Sequence, residues 1–398
     1  MNDDITEANS KALMLVILLI ALIQMPQVAV MPAIERISTE IFPDRSLQHI
    51  QTLMALISLT SIAAGIAGAI IIRHGLASKK FVTILGVGCL ASVGIFAFFL
   101  NTMLWHIGLL NILIGAGMGF CIPNHQSILF DNFDEENRQL LSGLNSTFLC
   151  AGGVLMSTVG GLLITRIWFG GYLMTLIAIP VAIVSIMFIP RDKKVQTSDA
   201  GNRTKLPQKV FFYAFLIFLF AVMFGVGGMN ISTHIANAEI GDAAIAGTAN
   251  AMPMLGGIFM GLLFVKVSTK LGDNLLPLAF VFLFIGFSVL NLFHTSLIMT
   301  FIAMFMLGLG LTMFMPRCLF NISNITNPSN SSTATMLVLS IAPGSGGFLS
   351  PIIMTNLTVA LGGDSTRFRY QFTAFICLLI AALIYIYLRR TSSTAKSK

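Results

Sequence analysis

The stretch Arg191–Lys209 reads RDKKVQTSDAGNRTKLPQK. It is the longest run in the chain without a long apolar segment, and it falls close to the midpoint of 398 residues. Six hydrophobic segments long enough to cross a membrane precede it and six follow it. The expected organisation is therefore an N-terminal bundle over 1–190, a linker over 191–209 and a C-terminal bundle over 210–398.

Composition points to the solvent in which those segments fold. Hydrophobic residues make up 56% of the chain and charged residues only 10%, with a mean hydropathy of +0.88. A soluble domain carries about 25% charged residues, and a chain this poor in charge could not cover its surface in water. The abundance of Gly, Met and Phe suits packed membrane helices, where small residues let backbones approach closely. The net charge of +7 is not a nucleic-acid footprint, because the basic residues sit in short loops and no basic stripe is interleaved with aromatics. The five cysteines are odd in number, form no CxxC and read as small packing residues.

A span needs about 20 apolar residues. Twelve are expected, over 12–33, 49–72, 82–100, 103–123, 140–163, 169–189, 210–231, 245–265, 275–293, 296–316, 334–359 and 370–388. With the N-terminus inside, the interior segments hold eighteen Lys and Arg and the exterior segments five, which places both termini and the central linker in the cytoplasm. The fold class expected is an all-α polytopic membrane protein of two six-helix bundles in the cell membrane.

The halves repeat each other. Gly115 and Gly117 precede Pro123 in span 4 as Gly308 and Gly310 precede Pro316 in span 10, at an offset of 193 residues. Gly152-Gly153 in span 5 matches Gly346-Gly347 in span 11 at an offset of 194.

Local patterns then carry a family likeness over essentially the whole chain. Gly68, Arg73 and Gly75, followed by Lys79-Lys80, are similar to a G-x-x-x-D-R-x-G signature with Ile72 in the acidic position. Span 4 resembles an R-x-x-x-G-x-G segment in which Asn111 replaces the arginine. In span 5, Gly143, Gly152, Gly160 and Gly161 match the spacing of an antiporter signature, with Met156-Ser157 in place of Gly-Pro. Asp131 to Arg138 resembles the acidic loop after span 4, and Trp168-Phe169 suits the start of span 6. These patterns resemble the major facilitator superfamily, and among its branches the drug:proton antiporters. The resemblance implies alternating access by two bundles around a cavity lined by spans 1, 2, 4, 5, 7, 8, 10 and 11. It also implies conformational roles for Gly68, Arg73, Gly75, Asp131, Arg138, Gly152, Gly160 and Gly161.

Within the twelve expected spans there is no Asp, Glu, Lys or Arg. Intramembrane charges usually mark ion or proton pathways, so their absence leaves neutral polar groups and methionines as candidate substrate contacts. Gln24, Gln27 and Met31 fall at helical spacing on one face of span 1, between Pro26 and Pro32. Asn230 and His234 share a face of span 7. Asn111 on span 4, Asn145 and Cys150 on span 5, Asn250 and Met254 on span 8 and Met313 on span 10 complete the set. Each competes with a plainer role as interhelical glue worth about 1 kcal/mol, or as packing filler.

The function expected is secondary transport of a small organic molecule, by proton-coupled efflux of an amphipathic compound. Uniport or coupled uptake of a neutral metabolite suits the charge-free spans, and a receptor or scaffold on a transporter fold is the alternative of another class. No metalloprotease, Walker or Rossmann pattern is present, so no enzyme is expected. The partners expected are substrate, lipid bilayer and protons, with no cofactor, metal or nucleic acid, in a monomer.

Overall fold

In hydrocarbon every backbone N–H and C=O must be paired inside the protein, which leaves helices as the form for apolar segments of this length. A computed structural model describes residues 2–133, 135–190, 206–326, 334 and 336–396. The side chains at 2–9, 130, 131, 135–140, 142, 143, 265, 323 and 391–396 lie outside that description. Most of the expected linker, 191–205, is outside the described residues, as are the side chains of Asp131 and Arg138.

Twelve described helical segments are long and apolar enough to cross a membrane. They are α1 (Ser10–Ile41), α2 (Leu47–Arg73), α3 (Lys79–Ala97), α4 (Leu104–Leu129), α5 (Leu144–Arg166), α6 (Gly170–Phe188), α7 (Gln208–Asn237), α8 (Ala243–Phe264), α9 (Lys266–Leu292), α10 (Leu297–Ile322), α11 (Leu337–Ala360) and α12 (Thr366–Arg390). The chain divides into two compact units, Met1–Gly201 and Asn202–Lys398.

Within the first unit α1 packs on α5, α2 and α3 pack on α4, and α6 packs on α3 and α5. Within the second, α7 packs on α11, α8 and α9 pack on α10, and α12 packs on α9. The principal pairings thus recur with six added to each helix number. The repeated glycines make the same contacts. A Cβ built on Gly117 would lie 2.9 Å from the Gly86 carbonyl oxygen of α3, and one on Gly310 would lie 2.9 Å from the Ala279 carbonyl oxygen of α9. Gly115 meets the Ile57 carbonyl of α2, as Gly308 meets that of Pro253 in α8. Gly152 lies on the Leu22 backbone of α1, as Gly346 lies on that of Phe218 in α7.

Proline interrupts α1. Its regular helix stops at Leu22, and the amides of Ile23 and Gln24 bond only three residues back. Pro26, which has no N–H to give, leads into a short helix, Gln27–Val30, and then a tight turn, Met31–Ala33. The common face expected for Gln24, Gln27 and Met31 requires an unbroken helix, and the interruption resets their phase. Gln24 is buried while Gln27 and Met31 are half-buried.

Helices also run on past the expected spans. α1 continues through Glu35, Arg36 and Glu40, and α12 begins before Arg367 and Arg369. Hydropathy marks where a helix crosses hydrocarbon, not where its hydrogen bonds stop. At the turn after α2, Gly75 adopts φ +68°, a left-handed closure that favours glycine. Beyond it, Lys79 Nζ donates to Ser127 Oγ of α4 at 2.7 Å. Lys80 Nζ donates to the carbonyls of Ile186 and Ile189 at 2.9 and 2.5 Å, a cation on the negative end of α6.

Candidate functional site

In the first unit the polar interior gathers on α1, α4 and α5. Gln24, beside the interruption in α1, donates from Nε2 to His125 Nδ1 at 2.9 Å. His125 is 1% exposed, and its Nε2 donates to the Ile17 carbonyl at 2.9 Å. His125 is absent from the expected site residues because the apolar run of span 4 stops at Pro123, whereas the helix of α4 passes through that proline and continues to Asn132. A histidine two residues beyond the proline reads in sequence as loop.

Asn111 is wholly buried and fully engaged. Its Nδ2 donates to the Leu53 carbonyl at 3.0 Å, and its Oδ1 accepts from Tyr172 Oη at 3.1 Å. It joins α2, α4 and α6. Asn145 is buried with Oδ1 unpartnered, and the Oε1 of Gln27 is likewise buried and unpartnered. Cys150 is a half-buried free thiol on the same helix as Asn145.

The residues with expected conformational roles fall at two places. Gly152 and Gly160 form the α1–α5 seam, against Leu22 and Ala29 respectively, and Gly161 is buried beside them in sequence. Gly68 is buried near the end of α2, where a Cβ would lie 3.3 Å from Phe120 and Val82 side chains. Arg73 and Gly75 at the following turn are exposed.

The second unit places polar groups around one turn of α7. Asn230, Ser232, Thr233 and His234 are all buried, so they surround the helix rather than form one stripe. Asn230 donates from Nδ2 to the Val226 carbonyl at 2.9 Å, and its Oδ1 accepts from Arg369 Nη1 at 3.2 Å. Arg369 lies outside the expected spans, yet it is 3% exposed. Its Nη2 pairs with Asp364 at 2.6 Å. The signal in sequence is the acid five residues before it, on a turn too polar for a hydropathy scan to keep. The His234 ring lies edge-on to Tyr370, with centroids 5.4 Å apart.

Several buried atoms of this unit have no partner among the described residues: Ser232 Oγ, Thr233 Oγ1, His234 Nε2, Asn250 Nδ2, Arg369 Nε and Tyr370 Oη. Met254 is half-buried on α8. Met313 is 3% exposed within the apolar core of the unit. A groove of about 880 Å³ between α9 and α12 is lined by Asp273, Tyr385 and Arg389 with apolar neighbours, and holds none of the expected site residues.

Solved transporters share this architecture. The peptide transporter PepTSo of the POT family aligns with a TM-score of 0.79 at 11% identity, over 96% of this chain and 98% of its own. A mutant of the nucleoside transporter NupG aligns at 0.75 and 11% identity, over 94% and 99%. A bacterial homolog of the human lysosomal transporter Spinster aligns at 0.72 and 16% identity, over 96% and 97%. At these identities the likeness establishes the fold alone. No curated protein matches the sequence. The family model described as Major Facilitator Superfamily matches residues 13–236, more than half of the chain. With twelve membrane-length helices whose pairings repeat between two units, this multi-pass membrane protein belongs to the major facilitator superfamily of transporters.

Proposed function

We propose that the chain exports a small amphipathic molecule, neutral or weakly charged, across the cytoplasmic membrane by proton-coupled antiport. Both termini lie in the cytoplasm in this reading, the protein acts as a monomer, and no cofactor takes part. One observation carries the substrate assignment. Buried polar atoms of both units are left unpaired among the described residues, at Gln27 and Asn145 in the first and at Ser232, Thr233, His234 and Asn250 in the second. Folded proteins pair nearly all such atoms, and in a transporter the partner is the ligand and its water. Met31, Cys150 and Met254, half-buried on the helices of Gln27, Asn145 and Asn250, supply soft, adaptable apolar contact. Gln24, Asn111 and Asn230 already hold side-chain partners and are left out of the substrate assignment. The glycine spacing of α5 and its close seam with α1 support a rocking, antiporter-like mechanism.

The ligand is found as a compound that raises the thermal stability of the purified protein, since binding shifts apparent stability by mass action. Added to acid-loaded proteoliposomes, it should alkalinise the lumen. Flux that persists unchanged when the pH gradient is collapsed would overturn antiport and favour uniport of a neutral metabolite. Gln27→Leu and Asn250→Leu should each weaken binding about fivefold, equivalent to about 1 kcal/mol per lost hydrogen bond. Unchanged affinity in both would remove the substrate assignment.

A further inference from the structure

The carboxylates of the described spans, Glu35 and Glu40 of α1 and Asp273 of α9, already hold side-chain partners. Glu35 and Glu40 lie beyond both prolines of α1, where Glu35 accepts from Thr39 and Glu40 pairs with Arg36. The first unit nevertheless contains a titratable ring built into its interior. His125 is held at both nitrogens, by Gln24 on one side and the Ile17 carbonyl on the other, each at 2.9 Å.

The hydrogen bonds define the ring's state. Gln24 Nε2 can only donate, so His125 Nδ1 carries a lone pair. The Ile17 oxygen can only accept, so His125 Nε2 carries the proton. With the Gln24 amide in this orientation, the ring is the neutral Nε2–H tautomer. Half a turn of the Gln24 amide about its terminal bond exchanges Nε2 for Oε1 and presents an acceptor to Nδ1. The same heavy-atom positions then suit the imidazolium, with Nδ1–H on Gln24 Oε1 and Nε2–H still on Ile17. A buried charge is costly unless hydrogen-bonded, and here each N–H of the charged ring has an acceptor within reach.

We propose that His125 is the site that takes up and releases the coupled proton, with Gln24 as the residue that positions it for both states. The proposal rests on the antiport reading above. The proton arrives from water on one side, adds to the Nδ1 lone pair as the Gln24 amide turns, and leaves to water on the other side as the amide turns back. No other bond is made or broken.

The fold links this site to substrate. Gln24 sits before the Pro26 interruption of α1, and Gln27 and Met31, two of the proposed substrate contacts, sit after it. A change in the bend of α1 moves Gln24 relative to the ring. The surrounding titratable groups are few. Cys121 lies one turn earlier on α4 and is buried, and Cys89 lies on α3. α1 brings the exposed Lys11, and α2 brings the exposed Arg73 and His74 at its end. α3 brings Lys79, bonded to Ser127, and Lys80, bonded to the end of α6. Glu135, Glu136 and Arg138, ahead of α5, and Asp131, just after α4, lie outside the described side chains.

The test uses the full chain in proteoliposomes, with the ligand identified by thermal stabilisation. In the wild type, substrate addition should move protons. His125→Asn should cut that proton movement at least tenfold, while substrate-for-substrate exchange at equal pH persists and shows the variant to be folded. Gln24→Leu, which keeps the ring but removes the amide, should displace the pH profile of coupled flux. In ¹⁵N-histidine spectra, one ring missing from the His125→Asn protein should show the neutral Nε2–H pattern and respond to substrate. A wild type that moves no protons would refute the antiport reading. Proton coupling retained in His125→Asn would refute the proton site while leaving antiport standing. If His125→Asn does not fold, the absence from the wild-type spectrum of any histidine ring that responds to both pH and substrate refutes it instead.

Discussion

Asn111 and Tyr172 meet across three helices, and removing either costs the other a buried hydrogen bond. Asn111→Ala leaves the Leu53 carbonyl and the Tyr172 hydroxyl without this partner in a dry interior. The expected loss is about 1–3 kcal/mol, read as a lower unfolding temperature in detergent, with Tyr172→Phe the milder of the two. The Arg369–Asp364 pair predicts an asymmetry of its own. Asp364 is 77% exposed and Arg369 only 3%. Removing the arginine returns an acid to water, whereas removing the acid leaves a buried guanidinium with no counter-charge, held by Asn230 and the Asp364 backbone carbonyl alone among the described residues. Asp364→Ala should therefore destabilise by about 2–3 kcal/mol, and Arg369→Met by less. Arg369→Met proving the more damaging would refute this account. At this scale the sequence is least legible. It leaves Gln24, Asn111 and Asn230 open between substrate contact and interhelical glue, and only the folded chain reveals their partners 101, 61 and 139 residues away.

Helices are legible because their signal is periodic and long. An apolar run of this length survives a boundary error of several residues, and all twelve expected runs overlap a described helix. What hydropathy does not carry is continuity: α4 through Pro123, α12 back to Thr366 and the interruption of α1 at Pro26. The glycines are legible as a repeat, though their contacts are not. Gly152 lies on the Leu22 backbone, while a Cβ at Gly88 or Gly261 would meet nothing within 4 Å. Gly152→Ala must push α5 from α1 and should lower thermal stability and expression. Gly88→Ala and Gly261→Ala should be neutral, or stabilising by up to about 1 kcal/mol through helix propensity. Equal behaviour of all three would show that the α1–α5 seam has slack.

For the whole molecule, the distribution of Lys and Arg is the strongest statement the sequence makes, because topology depends on a sum over many loops and tolerates error at any one. Cysteines introduced at Ser198 and Ser397, in a background lacking the native five, should react with a membrane-impermeant maleimide in inverted vesicles and stay unlabelled in intact cells. Labelling at the cell surface would reverse the orientation. The pairing of α1 with α5 has a further consequence, in time. About a hundred residues of chain separate Ile41 from Leu144. At a synthesis rate of about 5–20 residues per second, α1 waits roughly 5–20 s in the bilayer before its principal partner is made. α7 waits in the same way for α11. During that interval the surfaces that later receive Gly152 and Gly346 are without their partner helices. The birth of each bundle therefore depends on whatever shelters its first helix until its fifth emerges.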